Sequence, residues 1–224
     1  LCEKPLSLDA GEVRRCFAAQ TRPRQLIVAM NRRWDPELTV LKYRAAQSPT
    51  PPHTVSIDCR DYPPPTEAFL AHSGGVYHDC LVHELDILRW CLGVRPGRVA
   101  LVDVHRADQP NPDAAVDAEH VAGATVVLTG ERGETAVIRF CRHSDRYVHT
   151  VATPVSRAGE PLGPGATFVD RFRDAFGLLY GTFARGMRDD LSRDDARRIP
   201  TETDCLELLA LGDAIGAAAD IASP

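Results

Sequence analysis

The sequence predicts an α+β protein in which a mostly antiparallel open sheet is covered by helices and preceded by the remnant of an α/β domain. Three observations predict this class. Two β-rich runs, 124–129 and 135–141, flank Gly130-Glu-Arg-Gly133, which favours an antiparallel hairpin. Apolar residues recur at helical spacing over 168–187. A continuously apolar run, 26–30, is typical of a strand buried on both faces.

Residues 6–31 contain the pattern of half a βαβ unit. A helix capped by Ser7 or Asp9, with Glu12 three residues after Asp9, is followed by the apolar run. The later elements are predicted from β-rich or helical runs between turn residues: strands over 54–59, 98–105 and 147–151, and helices over about 77–92 and from 201 or 203 onward. Three stretches lack such a pattern and are predicted as irregular, loop and linker segments: 37–52, 107–118 and 152–167.

Composition and charge exclude several classes of protein. The 224 residues are 44% hydrophobic and 25% charged, so a sizeable core is expected, not a disordered chain or a coiled coil. Because 26 basic residues face 31 acidic ones, we expect no nucleic-acid partner and no membrane surface. The seven cysteines form no Cys-x-x-Cys pair, which indicates free thiols in a reducing compartment and a cytoplasmic location.

The most informative stretch is the predicted helix over 77–92. Asp79, His83, Asp86 and Trp90 fall at i, i+4, i+7 and i+11, on one face. Burial and a nearby carboxylate can bring a histidine into the range where it exchanges protons near neutral pH. The alternative is a core histidine that bonds Asp79 and does no chemistry. No metal site is expected, because no Cys/His pair has zinc spacing.

Other candidate residues lie next to predicted strands. Lys4, one of only two lysines, stands between Glu3 and Pro5. Arg32 and Arg33 follow the apolar run, where alternation would turn one of them inward, towards an oxygen-rich ligand. The alternatives are an exposed loop lysine and a surface arginine pair.

Four segments resemble one family when they are taken together. They are Cys2-Glu-Lys-Pro-Leu6, Asn31-Arg-Arg-Trp-Asp35, Ser73-Gly-Gly-Val-Tyr-His-Asp79 and Asp79-Cys-Leu-Val-His-Glu-Leu-Asp86. Their order and spacing resemble the glucose–fructose oxidoreductase/inositol dehydrogenase/rhizopine catabolism (Gfo/Idh/MocA) family, and within it the inositol 2-dehydrogenase branch. The resemblance covers nearly the whole chain.

The resemblance implies an oxidoreductase that uses NAD or NADP to oxidise a secondary hydroxyl of a cyclic polyol or sugar. It implies that 1–35 is a remnant of the NAD-binding Rossmann domain and that 36–224 is the substrate-binding α+β domain. The residues matched to functional positions are Lys4, Asp79 and His83 as catalytic, Arg32, Asp61 and Tyr147 as substrate-binding, and Glu3 with Lys4 as cofactor-binding.

The sequence departs from the family in its nucleotide-binding part. No Gly-x-Gly-x-x-Gly follows a strand, so the main cofactor site is expected to lie outside this chain, which we interpret as truncated. A rival interpretation is therefore a catalytically inactive truncated or spliced form that acts as a binding or oligomerisation module. A metal-dependent hydrolase, suggested only by the histidines, is a third. A homo-oligomer remains open as a partner.

Overall fold

A computed structural model describes residues 1–48, 53–70, 73–106, 121–142 and 144–222. The helices are α1 (Ala10–Ala18), α2 (Pro36–Gln47), α3 (Glu67–Leu70), α4 (Val76–Asp79), α5 (Leu81–Asp86), α6 (Phe168–Arg171), α7 (Arg173–Met187), α8 (Arg193–Arg198) and α9 (Glu202–Ala222). A 3₁₀ helix spans Asn31–Trp34 and a π-helical turn spans Ile87–Cys91. The strands are β1 (Thr54–Arg60), β2 (Pro96–Arg106), β3 (Val121–Gly130), β4 (Thr135–Cys141), β5 (Val148–Thr153) and β6 (Ser156–Ala158).

The six strands form one open sheet in the order β2-β3-β4-β1-β5-β6. β1 and β4 run parallel, with Ile57 opposite Ile138, and the other four neighbouring pairs are antiparallel. The predicted α+β class, with a mostly antiparallel sheet and covering helices, is confirmed. The predicted hairpin at 130–133 joins β3 to β4, and Gly133 adopts the positive φ of +86° that this turn requires.

Alternation along the strands places the core on one face of the sheet. Val55, Ile57 and Cys59 of β1 are buried, as are Ala136, Ile138 and Phe140 of β4, and they pack in one cluster with Leu81, Leu85 and Leu88. α9 packs against β2, α1, α4 and α5, which closes this core. Residues Val13, Val28 and Met30 belong to the same cluster, and the domain boundary after residue 35 stays a prediction.

A second, smaller core lies between the 3₁₀ helix and α7. It contains Trp34, Tyr147, Phe172 and Leu179, all buried. The indole Nε1 of Trp34 donates a hydrogen bond to Thr182 Oγ1 at 2.9 Å. The second core and this hydrogen bond therefore hold the 3₁₀ segment, which carries Arg32 and Arg33, against α7.

Several sequence predictions need correction. The run 26–30 is buried, but its ladder is a single parallel bridge between Val28 and Cys2. The segment 37–52, which has no clear pattern, contains α2, capped by the Asp35 side chain. The linker 152–167 contains the end of β5 and the short edge strand β6. Helix 77–92 is divided at Cys80 and widens into the π-helical turn.

Other predicted elements agree closely with the structure. Asp9 caps α1 by accepting a hydrogen bond from the Glu12 amide at 2.7 Å. The strands predicted over 54–59 and 98–105 correspond to β1 and β2, and the helix predicted over 168–187 is α6 followed by α7. The predicted loop 107–118 lies outside the described residues. No helix in the described part of the chain is long and apolar enough to cross a membrane.

Candidate active site

The predicted site residues converge where β1 and β4 end. Because these strands are parallel neighbours, their carboxyl ends lie side by side, and the Asp61 amide donates to the Cys141 carbonyl at 2.8 Å. Arg142 follows β4 at the same edge. β5 is antiparallel to β1 and begins opposite its end, which brings Tyr147 to this edge as well.

Lys4, Asp79 and Arg142 form the charged centre of the site. The ammonium of Lys4 donates to Asp79 Oδ1 at 2.6 Å and to the Asp79 carbonyl at 2.7 Å. The other carboxylate oxygen, Oδ2, accepts a hydrogen bond from Arg142 Nη2 at 2.9 Å. The bridge between Cys2 and Val28 anchors the chain two residues before Lys4 and so places the ammonium against α4. One carboxylate thus holds two cations.

His83 is buried on α5, and its Nδ1 atom has no hydrogen-bond partner. Burial lowers the pKa of His83 well below its ordinary value, and the charges of Arg32, Lys4 and His149 lower it further. The imidazole is therefore neutral near pH 7 and retains a free ring nitrogen. Such a group can accept a proton from a ligand in the site.

Arg32 and Tyr147 both contact the ring of Phe172. The guanidinium carbon of Arg32 lies 3.9 Å from the ring centroid, and Tyr147 meets the ring edge-on at a centroid distance of 6.4 Å. Arg32 donates one hydrogen bond to Asn31 Oδ1 at 2.9 Å, whereas its Nε atom has no partner. The hydroxyl of Tyr147 is buried and also unpaired. Two polar side chains are thus held in place with hydrogen-bonding capacity to spare.

Asp61 is more buried than its position in a loop predicts. Burial raises the pKa of Asp61, and the positive charge of Arg142 opposes this rise. The thiol of Cys80 lies 3.8 Å from Asp61 Oδ2, within reach of a weak S–H hydrogen bond. Burial also raises the pKa of the Cys80 thiol, so this cysteine stays protonated.

A second buried pair lies beside the site. Glu84 Oε2 and His149 Nε2 are 3.0 Å apart, and both side chains are almost wholly buried. Burial raises the pKa of Glu84, but the charge and hydrogen bond of His149 outweigh this effect and leave the pKa below its ordinary value. The His149 ring also meets Phe172 edge-on, at a centroid distance of 5.1 Å. This pair therefore packs against the same Phe172 ring as Arg32 and Tyr147.

Two interpretations of the site residues need correction. The hydrogen bond to Asp79 that the alternative of a core histidine requires of His83 is absent, because both Asp79 oxygens are occupied by cations and the helix is divided at Cys80. Arg32 and Arg33 are both buried, since they lie on a 3₁₀ turn that directs them to different partners.

Glu3, assigned with Lys4 to the cofactor-binding set, is exposed, and this assignment stays a prediction. Sequence reasoning also missed Arg142, Glu84 and His149. Two signals were available in the sequence. Arg142 is a charged residue directly after a strand, and His149 is a polar residue inside a buried strand.

The described residues contain no group of three or more His, Cys, Asp or Glu side chains arranged to hold a metal ion. No disulfide bond joins the cysteines that the structure describes.

Comparison with known proteins fits this geometry. Residues 50–152 match the sequence profile of the GFO/IDH/MocA C-terminal domain. The chain is 26% identical to the inositol 2-dehydrogenase of Rhizobium meliloti (strain 1021) over 95% of its own length and 68% of that protein. It is 31% identical to the uncharacterized oxidoreductase YrbE of Bacillus subtilis (strain 168), over 73% of this chain and 48% of that protein.

Residues 50–152 belong to the GFO/IDH/MocA family as its C-terminal domain. The relatives named above are longer, and the chain spans about half to two thirds of their length.

Solved structures show the same fold as this GFO/IDH/MocA chain. A myo-inositol dehydrogenase from Corynebacterium glutamicum superposes with a TM-score of 0.74 at 24% identity, covering 99% of this chain and 70% of that one. A scyllo-inositol dehydrogenase from Lactobacillus casei, with bound NAD(H) and scyllo-inositol, gives a TM-score of 0.73 at 17% identity, covering 96% and 69%.

Proposed function

We propose that this chain is the catalytic and substrate-binding part of a dehydrogenase that oxidises a secondary hydroxyl of a cyclic polyol or sugar, in the manner of an inositol 2-dehydrogenase. One observation carries the proposal. Around the Lys4–Asp79 ion pair lie buried polar atoms without a partner: His83 Nδ1, Tyr147 Oη, Arg32 Nε, and Arg142 Nε and Nη1. Buried polar groups are nearly always paired in native proteins, so these atoms indicate a ligand rich in hydroxyls.

The residues present fit only one end of a dinucleotide cofactor. The sequence contains no Gly-x-Gly-x-x-Gly turn to hold a pyrophosphate. Lys4 lies beside the free imidazole of the site, where the reacting end of NAD or NADP would meet the substrate. When bound, the cofactor would supply the hydride acceptor for the carbinol carbon. The named relatives and the NAD(H)-bound neighbour support this class of cofactor, and NAD and NADP remain equal candidates.

The proton of the reacting hydroxyl goes to His83. Its imidazole is neutral near pH 7 and has a free nitrogen, as a general base requires. The ammonium of Lys4, already fixed by Asp79, stabilises the negative charge that develops on the oxygen. This negative charge also offsets the cations around His83, so the imidazole gains proton affinity as the hydroxyl proton is transferred.

Replacement of His83 tests the proposal in the native protein. We expect His83→Ala to lower kcat for NAD-coupled oxidation of myo-inositol by roughly two to four powers of ten, the usual contribution of a general base. The affinity for the polyol should change less, as measured by calorimetry. His105→Ala is the matched control, because His105 is an exposed histidine on β2.

The outcomes separate the two functional classes. Near-normal turnover in His83→Ala would remove His83 from the reaction. Polyol binding by the wild type without reduction of NAD or NADP would favour the non-catalytic binding module. The cytoplasmic location and the homo-oligomer stay predictions.

A further inference from the structure

Arg142 is a buried side chain whose hydrogen bonding is only half complete. It directly follows β4, and its side chain is 3% exposed. The Nη2 atom donates to Asp79 Oδ2 at 2.9 Å, whereas Nε and Nη1 are buried without any partner. One branch of the guanidinium is therefore anchored, and the rest is left with hydrogen atoms to donate.

Within the described parts of the chain, no acceptor is paired with these atoms. Of the described acidic groups that interact with Arg142, Asp79 already accepts from Lys4 and Arg142, and the carboxyl of Asp61 feels the charge of Arg142 but accepts no bond from it. An unpaired buried donor costs free energy, and the cost is greater for a charged group. Since Arg142 lies among the other unpaired groups of the site, the missing acceptors are expected on the ligand that these groups share.

We propose that Arg142 is a further substrate-binding residue, which donates from Nε and Nη1 to ring oxygens of the polyol while Nη2 holds Asp79. The assignment rests on the proposed function. A guanidinium presents its donors in a rigid planar fork, which suits two oxygens on neighbouring ring carbons. Arg142 thereby contacts the ring and also Asp79, which holds Lys4 at the reacting hydroxyl.

The Arg142→Lys variant separates the two contacts of Arg142. A lysine keeps a cation for Asp79 but lacks the second branch that faces the ring. We expect the Kd for myo-inositol, measured by calorimetry on the native protein, and the KM to rise about 10- to 100-fold, the effect of losing hydrogen bonds to a charged group. The kcat should change much less. Arg142→Met, which also releases Asp79, should lower kcat as well.

Monodeoxy inositols make the test specific to contact with the ring. The analogue that lacks the contacted hydroxyl should bind the wild type about as weakly as myo-inositol binds Arg142→Lys, and the variant should not distinguish the two ligands. Arg139→Lys is the matched control, because Arg139 is exposed on the same strand. Thermal unfolding of each variant monitors the fold.

The two levels of the proposal fail differently. Wild-type affinity and an unchanged preference among the deoxy inositols in Arg142→Lys would overturn the assignment and leave Arg142 as a support for Asp79. A wild-type protein that binds and oxidises no polyol would overturn the proposed function, and the role of Arg142 with it.

Discussion

Two cations share the carboxylate of Asp79, and this arrangement changes the role of the aspartate. A local view of the sequence pairs Asp79 with His83 one turn later, but Lys4 and Arg142 come from distant segments and occupy both oxygens. The carboxylate compensates only one of the two charges. One positive charge is thus left over, which disfavours an imidazolium at His83 and, under the proposed function, would favour an alkoxide on the substrate.

Lys4→Arg tests whether Lys4 acts as a compact charge. We expect the variant to lose most of its kcat in the native protein, because a forked guanidinium cannot occupy the position of an ammonium that meets both Asp79 Oδ1 and the Asp79 carbonyl. Steady-state kinetics with a polyol and NAD measure the effect. Lys42→Arg is the control, since the other lysine donates to the Trp90 carbonyl. An arginine variant with most of its activity would make Lys4 a structural ion-pair partner only.

The site residues differ in how far the sequence could predict them. Lys4, Asp79 and His83 were found through short motifs with characteristic spacing. Arg142 was not identified, because a lone arginine after a strand has no distinguishing sequence pattern. Its role depends on which strand end lies beside it in the fold. His149 was missed for the same reason, since its partner Glu84 lies far away in sequence.

The helical segment that carries the site is built from several pieces. α4 ends at Asp79, α5 carries His83 and Asp86, and the π-helical turn then displaces Trp90. Asp86 accepts two hydrogen bonds from Arg33, at 2.6 and 2.8 Å, in full burial. On a regular helix, Asp79, His83 and Asp86 would all face one site. Here Asp79 and His83 belong to the candidate site, whereas Asp86 forms a structural ion pair with Arg33.

The Asp86–Arg33 pair should behave as a buried ion pair does. Asp86→Ala leaves the buried guanidinium of Arg33 with only its longer contact to Asp204, at 3.3 Å, as a counter-charge, and we expect the free energy of unfolding to fall by about 3 kcal/mol. Asp58→Ala removes the partner of Arg60 in an exposed pair and should cost no more than about 1 kcal/mol. Denaturant titration measures both values. Equal losses in the two variants would mean that the burial of the Asp86 pair has no energetic weight.

At the level of elements, the strands were predicted better than the irregular segments. β1 and β4 carry clear β-rich runs, and their bounds were predicted to within one residue. α2 was missed because its hydrophobic pattern is weak and its buried residues are only Leu38 and Leu41. The run 26–30 is apolar enough for a strand, but the described part of the chain supplies only Cys2 as its neighbour.

The whole molecule should lose stability in mild acid, partly through His83. Its pKa in the folded chain lies well below the ordinary 6.5, so below about pH 6.5 the unfolded chain binds a proton that the folded chain does not. The stabilisation is therefore complete above that pH and is lost as the pH falls, by up to about 1.4 kcal/mol per pH unit.

His83→Gln should remove this part of the pH dependence. We expect its free energy of unfolding to vary less between pH 6.5 and 5.5 than that of the wild type, by about 1 kcal/mol over this pH unit. Urea titrations at a series of pH values measure the slope. His105→Gln, at an exposed position, should keep the wild-type slope. Parallel slopes for His83→Gln and the wild type would show that His83 titrates normally.

The parallel pairing of β1 with β4 has a consequence for how the chain folds. Thr54 pairs with Thr135, and the helices and strands between them form a long loop. Closing this loop costs chain entropy before the new strand contacts stabilise the chain. The edge that holds Asp61, Arg142 and Tyr147 exists only after this closure. Collapsed chains that have formed the β3–β4 hairpin alone would therefore carry part of the sheet but not the candidate site.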